Sequence, residues 1–295
     1  MTSTIPCRIP RPAVALETTL LVHGVPTRDA SALARRLGDA VRTAGAHPAI
    51  VGVVSGEPIV GVDERQLDAL LSAPDVPKAN TSNLGVLMVR GSHAATTVST
   101  TMELAASAGV RVFATGGLGG VHPGYGDAWD VSSDLLAFTR FPVAVVASGV
   151  KSILDVVSTR EMLESLGVPV VGWRTDDFPA FYRRTSGTRV DARFDEIDEL
   201  GAFVRTELAR TGRGIVVANP VPAEAEISAE DWERWLREAS SRASANGAHA
   251  RDLTPTLLAA LHEVSAGATL RTNIELACSN AALAGRLACA IDPEP

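Results

Sequence analysis

The stretch Phe141–Trp173, FPVAVVASGVKSILDVVSTREMLESLGVPVVGW, decides the fold. Val143–Ala147 is a short apolar run of strand type, Ile153–Leu166 carries the spacing of an amphipathic helix, and Val168–Val171 returns to a strand. Strand, helix, strand in that rhythm is a parallel βαβ unit. The same alternation continues outward in both directions. Strand-like segments are Val14–Leu16, Ala49–Val53, Val86–Val89, Arg111–Ala114 and Ile215–Ala218. Helix-like segments between them are Ala32–Ala44, Glu64–Ser72, Thr96–Ala108 and Asp195–Thr211, with three more around Ala229–Ala245, Thr254–Glu263 and Leu270–Ala290. Val54–Val62 reads as a small hairpin. The breaks near Ser186–Val190 and Ser240–Arg251 read as loops, and no repeat or Pro/Ser linker divides the chain. The expectation is one α/β domain over residues 1–295, a three-layer α/β/α sandwich on a largely parallel sheet.

Composition narrows the function. With 46% hydrophobic and 21% charged residues the chain reads as an ordinary globular protein, neither disordered nor fibrous. Aromatics are only 4%, so Val, Leu, Ile and Ala must build the core. A net charge of −7 disfavours binding to nucleic acid polymers. No uninterrupted apolar run approaches the length that spans a bilayer, and the first residues lack the apolar segment of a secretory signal. Three scattered cysteines, Cys7, Cys278 and Cys289, suit a reducing compartment. A cytoplasmic protein without membrane partners is expected.

One count says more. Lys and Arg total 27, yet only Lys78 and Lys151 are lysines. Where a coding bias turns most lysines into arginine, the survivors are either positions at which Arg does not serve or chance remnants on a solvated surface. Arg stays protonated, whereas a desolvated lysine can lose its proton and attack a carbonyl. Lys151 stands out because its flanks, VAVVASGVKSIL, are apolar.

Ligands of such folds gather beyond the carboxyl ends of strands. Glu17 directly follows the first strand-like run, as either a general acid/base or a cap for the next turn. The segment after Ala114, TGGLGGVHPGYGDAWDVSSDL, is rich in glycine but fails the dinucleotide pattern, because His122 stands where the third glycine belongs. Neither a P-loop nor the G-x-S-x-G signature occurs. Such a loop can still cradle one phosphate on its N–H groups. Ser132, Ser133 and Asp134 stand at the start of a short helical run, as caps, as an anion site, or both. Asp130 beside them suits a divalent cation that keeps most of its waters.

Seven stretches together carry a resemblance: LETTLLVHG from Leu16, HAATTVSTTMELAASAGVRVFATGGLGGVH from His93, WDVSSDL from Trp129, VASGVKSILD from Val146, GVPVVGWRTDDFPAFY from Gly167, VANPVP from Val217 and TNIELACSNAALAGRLA from Thr272. In this order and spacing the chain resembles the pseudouridine-5′-phosphate glycosidases, a group that includes the indigoidine-synthase-A-like proteins. The resemblance implies an α/β/α enzyme, manganese-dependent and homotrimeric, that cleaves or forms a C–C glycosidic bond at C1′ of ribose 5-phosphate. It further implies that Lys151 forms an imine with C1′ of the opened sugar, that Glu17 donates a proton and that Asp130 binds Mn²⁺. Lys78, Val98, Ser132, Ser133 and Asp134 would contact substrate, with His122 and Asn273 as further polar positions of the pocket. The chemistry of the residues agrees, since a C–C glycosidic bond has no leaving oxygen for a carboxylic acid to protonate. An iminium at C1′ supplies the missing electrophile, and that needs an amine. The chain departs from the family's pattern around Lys78, at Ala94 and Pro123, and by carrying Tyr125 and Trp129 before Asp130. These departures touch the acceptor more than the reaction, and they leave open a C-glycosynthase that joins ribose 5-phosphate to a non-uracil aromatic acceptor.

Overall fold

The computed structural model describes residues 9–126, 129–245 and 253–292. Ten strands form one sheet: β1 (Ala13–Glu17), β2 (His47–Val54), β3 (Glu57–Val60), β4 (Lys78–Ala79), β5 (Ala94–Thr96), β6 (Val112–Ala114), β7 (Ala144–Ala147), β8 (Val170–Trp173), β9 (Ala192–Phe194) and β10 (Ile215–Ala218). Their order is β4-β5-β2-β1-β6-β7-β10-β8-β9, with β3 paired to β2. From β2 through β9 the neighbours run parallel, while β3 and β5 lie antiparallel to β2.

Period-two alternation explains why the strands are apolar throughout. Val14, Leu16, Val112, Ala114, Val146 and Val217 enter one core, while Ala15, Phe113, Val145 and Val216 enter the other. Eleven helices are described: α1 (Thr19–His23), α2 (Thr27–Thr43), α3 (Glu64–Ser72), α4 (Leu84–Val89), α5 (Val98–Ser107), α6 (Ser133–Phe138), α7 (Val156–Ser165), α8 (Ile197–Thr211), α9 (Ala229–Ala245), α10 (Leu253–Val264) and α11 (Ala268–Ile291). Residues of α2, α8 and α11 fill the first core, and those of α5, α6 and α7 the second. The three-layer α/β sandwich on a mostly parallel sheet is therefore present. Among the described residues α11 is long and apolar enough to cross a membrane, but its apolar side is the core of the first layer, against α2, α8 and the sheet.

Some expectations need correction. Val86–Val89 is not a strand but most of α4. Leu84 and Leu87, one helical turn apart, are its buried anchors, while Val86 and Val89 face solvent. The Asn80 carboxamide accepts from the N–H groups of Ser82 and Asn83, turning the chain into that helix. Thr96, expected to begin a helix, ends β5, and α5 starts two residues later. The α7 helix begins at Val156 because Asp155 caps it, accepting from Ser158 N at 2.9 Å. The α9 helix runs through Ser240 to Ala245, into the region expected to be a loop, and 246–252 lie outside the described residues. Cys7 lies outside them too.

Candidate active site

Glu17 is the last residue of β1, Thr115 follows β6, and Ser148 opens the segment from β7 to Lys151. All three stand at the carboxyl edge of the sheet, on adjacent parallel strands. Lys78 comes from the opposite direction. As the first residue of β4 it pairs with Ala95, which pairs with Gly52, next to the Val51 that faces Glu17. Two strands running against the rest thus bring Lys78 to the same edge.

Glu17, Lys78 and Thr115 line one cavity of about 580 Å³, together with the Lys151 to which Ser148 leads. Its floor holds Glu17, Thr115, Gly116, Gly117, Lys151 and Ser152, and the exposed Lys78 also lines it. Residues of α1, the Gly24–Pro26 turn, His262 of α10 and Leu270 and Asn273 of α11 close over it, with Phe181 and Tyr182 alongside. Asn273 Oδ1 is buried and has no hydrogen-bond partner among the described residues, an acceptor held ready for a ligand.

Electrostatics tie the floor together. Glu17 is 8% exposed and accepts a short hydrogen bond from the Thr115 hydroxyl. Burial pushes the Glu17 pKa up, and the charge of Lys151, the Thr115 bond and the weaker effect of Lys78 oppose that shift only in part. Glu17 therefore holds its proton to higher pH than an ordinary carboxylic acid, as a proton donor must. The Lys78 pKa is lowered, first by desolvation and then by the charge of Lys151. His23, at the end of α1, is lowered by burial and by Lys78. Two amines and one carboxyl thus sit within reach of each other's charge.

The loop carrying Lys151 is fixed by its main chain. Lys151 N–H donates to Leu118 O at 3.1 Å, and Leu118 N–H donates to Gly149 O at 2.9 Å. Gly149 has φ +75°, and a Cβ there would lie 1.7 Å from Pro179 O, so only glycine fits. Phe181, itself at φ +60°, donates its N–H to Ser148 O at 2.8 Å. Lys151 is half-buried between the buried Val150 and Leu154.

Other expected residues stand elsewhere. Among the described residues the cavity wall does not include Val98, His122, Asp130, Ser132, Ser133 or Asp134. Asp134, expected at the substrate, is buried with Oδ1 accepting from Ser99 N and Oδ2 from Gly119 N, both at 2.9 Å. Its carboxylate already fills the anion cradle that the glycine loop and α5 make. Ser132 is the cap of α6, accepting from Asp134 N at 3.2 Å, and the Ser133 hydroxyl meets that of Ser99 at 3.1 Å. Val98 is buried in the first turn of α5. Val121 N–H donates to Thr159 Oγ1 and His122 N–H to Asp130 O, so most of the glycine-rich loop's described amides are spent inside the protein. The phosphate cradle expected of that loop is thereby reduced to Gly116 and Gly117 at the cavity.

Asp130 is exposed next to Val131, which forms an isolated antiparallel bridge with Val121, and its Oδ2 lies 3.8 Å from His122 Nδ1. No group of three or more potential ligands occurs among the described residues. One carboxylate with one imidazole nearby fits a hard cation that keeps several waters, and not a closed zinc site. Trp129 is 89% exposed, with its ring 6.0 Å from that of Tyr125, so it does not pack beneath the loop.

Thr115, His23, His262, Phe181 and Tyr182 had no assigned role in the sequence reading. The signal for Thr115 was its place directly after a strand; His262 lies in a helix whose sequence gives no hint that it folds back over the cavity.

Comparison with known proteins places this geometry. The family described as indigoidine synthase A like protein matches residues 7–290. A pseudouridine-5′-phosphate glycosidase of Methylobacterium nodulans is 46% identical over 281 residues, covering 95% of this chain and 83% of its own. One from Symbiobacterium thermophilum is 42% identical over 287 residues, covering 95% and 93%. The crystal structure of an indigoidine synthase A-like protein from Thermotoga maritima superposes with a TM-score of 0.88 at 37% identity, covering 98% of this chain and 96% of that one. The prealnumycin C-glycosynthase AlnA, solved in complex with ribulose 5-phosphate, superposes at 0.88 and 34% identity, covering 95% and 92%.

Proposed function

The chain belongs to the indigoidine synthase A like family, and from that membership we propose that it is an enzyme making or breaking a C–C glycosidic bond at C1′ of ribose 5-phosphate. In the degradative direction it converts pseudouridine 5′-phosphate to uracil and ribose 5-phosphate. The observation that carries the reading is the meeting of Lys151 with a buried, proton-holding Glu17 on the floor of one cavity.

The residues divide the work as follows. Glu17 gives its proton to the ring oxygen O4′, the furanose opens, and the Lys151 amine bonds to C1′. The product is an open-chain amine at C1′, whose nitrogen has lost a proton and keeps its lone pair. In cleavage that lone pair expels the base carbon, which leaves with the bonding pair and takes up a proton, so that an electron-poor C1′ iminium remains; in synthesis the amine condenses with the C1′ aldehyde of ribose 5-phosphate, water leaves, and the same iminium accepts the base carbon, which loses its proton. Water then adds at C1′ in cleavage and frees the amine, leaving ribose 5-phosphate; in synthesis O4′ closes on C1′, displaces the amine and returns its proton to Glu17. Lys78 is the second lysine of the cavity lining and draws the phosphorylated sugar by charge. Asp130, with His122, would hold a hydrated Mn²⁺ outside the cavity wall, and when bound the ion would supply positive charge there. The homotrimer belongs to the same proposal, and the apolar side chains that α4 presents to solvent, Val86, Met88 and Val89, support contact between copies.

A second reading keeps the reaction and changes the acceptor. Exposed Trp129 beside Tyr125, next to Asp130 and outside the cavity wall, offers an aromatic face to a flat ring that is larger than uracil and extends beyond the cavity. The deciding experiment incubates the protein with pseudouridine 5′-phosphate and Mn²⁺ and follows uracil. Release of uracil supports the first reading. No release, together with coupling of ribose 5-phosphate to a polycyclic phenol, supports the second.

A further inference from the structure

Behind the cavity floor lies a polar side chain that the mechanism above does not use. Asn280 is on α11, fully buried, seven residues beyond Asn273. Its Nδ2 donates to Thr115 O at 2.7 Å, with longer contacts to Gly116 O at 3.3 Å and Ser148 Oγ at 3.1 Å. Its Oδ1 accepts from Asn219 Nδ2 at 2.9 Å and faces the Ser148 hydroxyl at 3.4 Å. Asn219 follows β10, Ser148 follows β7, and Thr115 follows β6. One carboxamide thus gathers the carboxyl ends of three strands. The first holds Thr115, whose hydroxyl binds Glu17; the second leads through Gly149 and Val150 to Lys151.

A core position on a helix packed against a sheet is ordinarily apolar, as Leu276, Leu283 and Leu287 are on this helix. A fully satisfied amide there fixes one arrangement of its partners, because losing it strands several buried polar groups at once. We propose that Asn280 is a positioning residue of the reaction, holding Glu17 and Lys151 at their working separation by tying the Thr115–Gly116 main chain to Ser148. The proposal rests on the assignment of Lys151 and Glu17 to the chemistry. It differs from a packing role in one consequence. If Thr115 drifts, Glu17 loses the hydrogen bond that restrains its pKa, so the pH above which the acid is spent moves upward.

The test measures formation of the borohydride-trapped adduct of ribose 5-phosphate as a function of sugar concentration and pH. Asn280→Ala is compared with Leu287→Ala, a fully buried position of the same helix remote from the cavity wall. A displacement of about 1 Å costs on the order of 100-fold in rate. Asn280→Ala should therefore lower the saturating rate about 100-fold, leave the half-saturating sugar concentration within about threefold, and move the alkaline limb to higher pH. Leu287→Ala should lose melting temperature while keeping rate and limb. If Asn280→Ala does not fold, Ser148→Ala carries the test, with a smaller loss of rate, about tenfold, at unchanged half-saturation. An Asn280→Ala protein, or in its place a Ser148→Ala protein, with wild-type rate and limb overturns the proposal, as does an equal rate loss in Leu287→Ala. A wild-type protein that forms no adduct overturns the assignment of Lys151 beneath it, which is a distinct result.

Discussion

Gly149→Ala should be far more damaging than an alanine at another left-handed glycine. Gly149 (φ +75°) and Gly187 (φ +81°) have similar backbones, so both substitutions meet the cost of a left-handed alanine, about 1–2 kcal/mol. They differ in space. A Cβ at Gly187 meets nothing within 4 Å, whereas at Gly149 it would stand 1.7 Å from Pro179 O. Relief requires the Pro179–Phe181 segment to part from Ser148–Gly149, which strains the bonds from Phe181 N to Ser148 O and from Leu118 N to Gly149 O. At about 1 kcal/mol for each bond the total reaches about 3–4 kcal/mol for Gly149→Ala, against about 1–2 for Gly187→Ala. At about 2 °C per kcal/mol in a chain this large, the melting point should fall by about 6–8 °C in the first and about 2–4 °C in the second. Scanning calorimetry reads the stability, and borohydride trapping on the folded protein reads the site, because the displaced segment carries Lys151. Equal melting points for the two variants, or undiminished trapping by Gly149→Ala, would refute the reasoning.

Three other outcomes are expected. Thr115→Val removes the hydroxyl that restrains the raised pKa of Glu17, so the alkaline limb of activity, set by loss of the Glu17 proton, should move to higher pH; an unmoved limb means another group titrates. Asp130→Ala should abolish the Mn²⁺ binding heat seen by titration calorimetry while leaving the melting point of the metal-free protein unchanged, since the side chain is exposed. Trp129→Ala should spare stability and uracil release but weaken a planar polycyclic acceptor by about 1–3 kcal/mol, roughly 5- to 150-fold, if the ring stacks on it; a uniform loss would point to a structural role.

The central sheet was legible because both its faces are buried: Val14–Leu16, Val143–Ala147 and Ile215–Ala218 read as apolar runs and became β1, β7 and β10. The short strands β4 and β9 were not, since two or three residues carry no period, and the placing of Lys78 depends on one of them. Val86–Val89 misled because β-branched residues usually mark strands, whereas here two leucines one turn apart outweigh them. In the site, Lys151 and Glu17 stood out by chemistry and by their place after strands. Asp134 is a different case: an acidic residue at a helix start reads as a ligand contact, and only the fold reveals that its two oxygens each accept an N–H, from Ser99 and Gly119. His262 was hidden for the same reason, because α10 reaches the cavity through long-range packing.

With only two lysines in the chain, one measurement reaches the central claim directly. The protein is incubated with ribose 5-phosphate, reduced with borohydride, digested and mapped by mass spectrometry. The account predicts a single reduced adduct on the peptide containing Lys151, absent in Lys151→Arg. An adduct on Lys78, or an adduct that persists in Lys151→Arg, would contradict it.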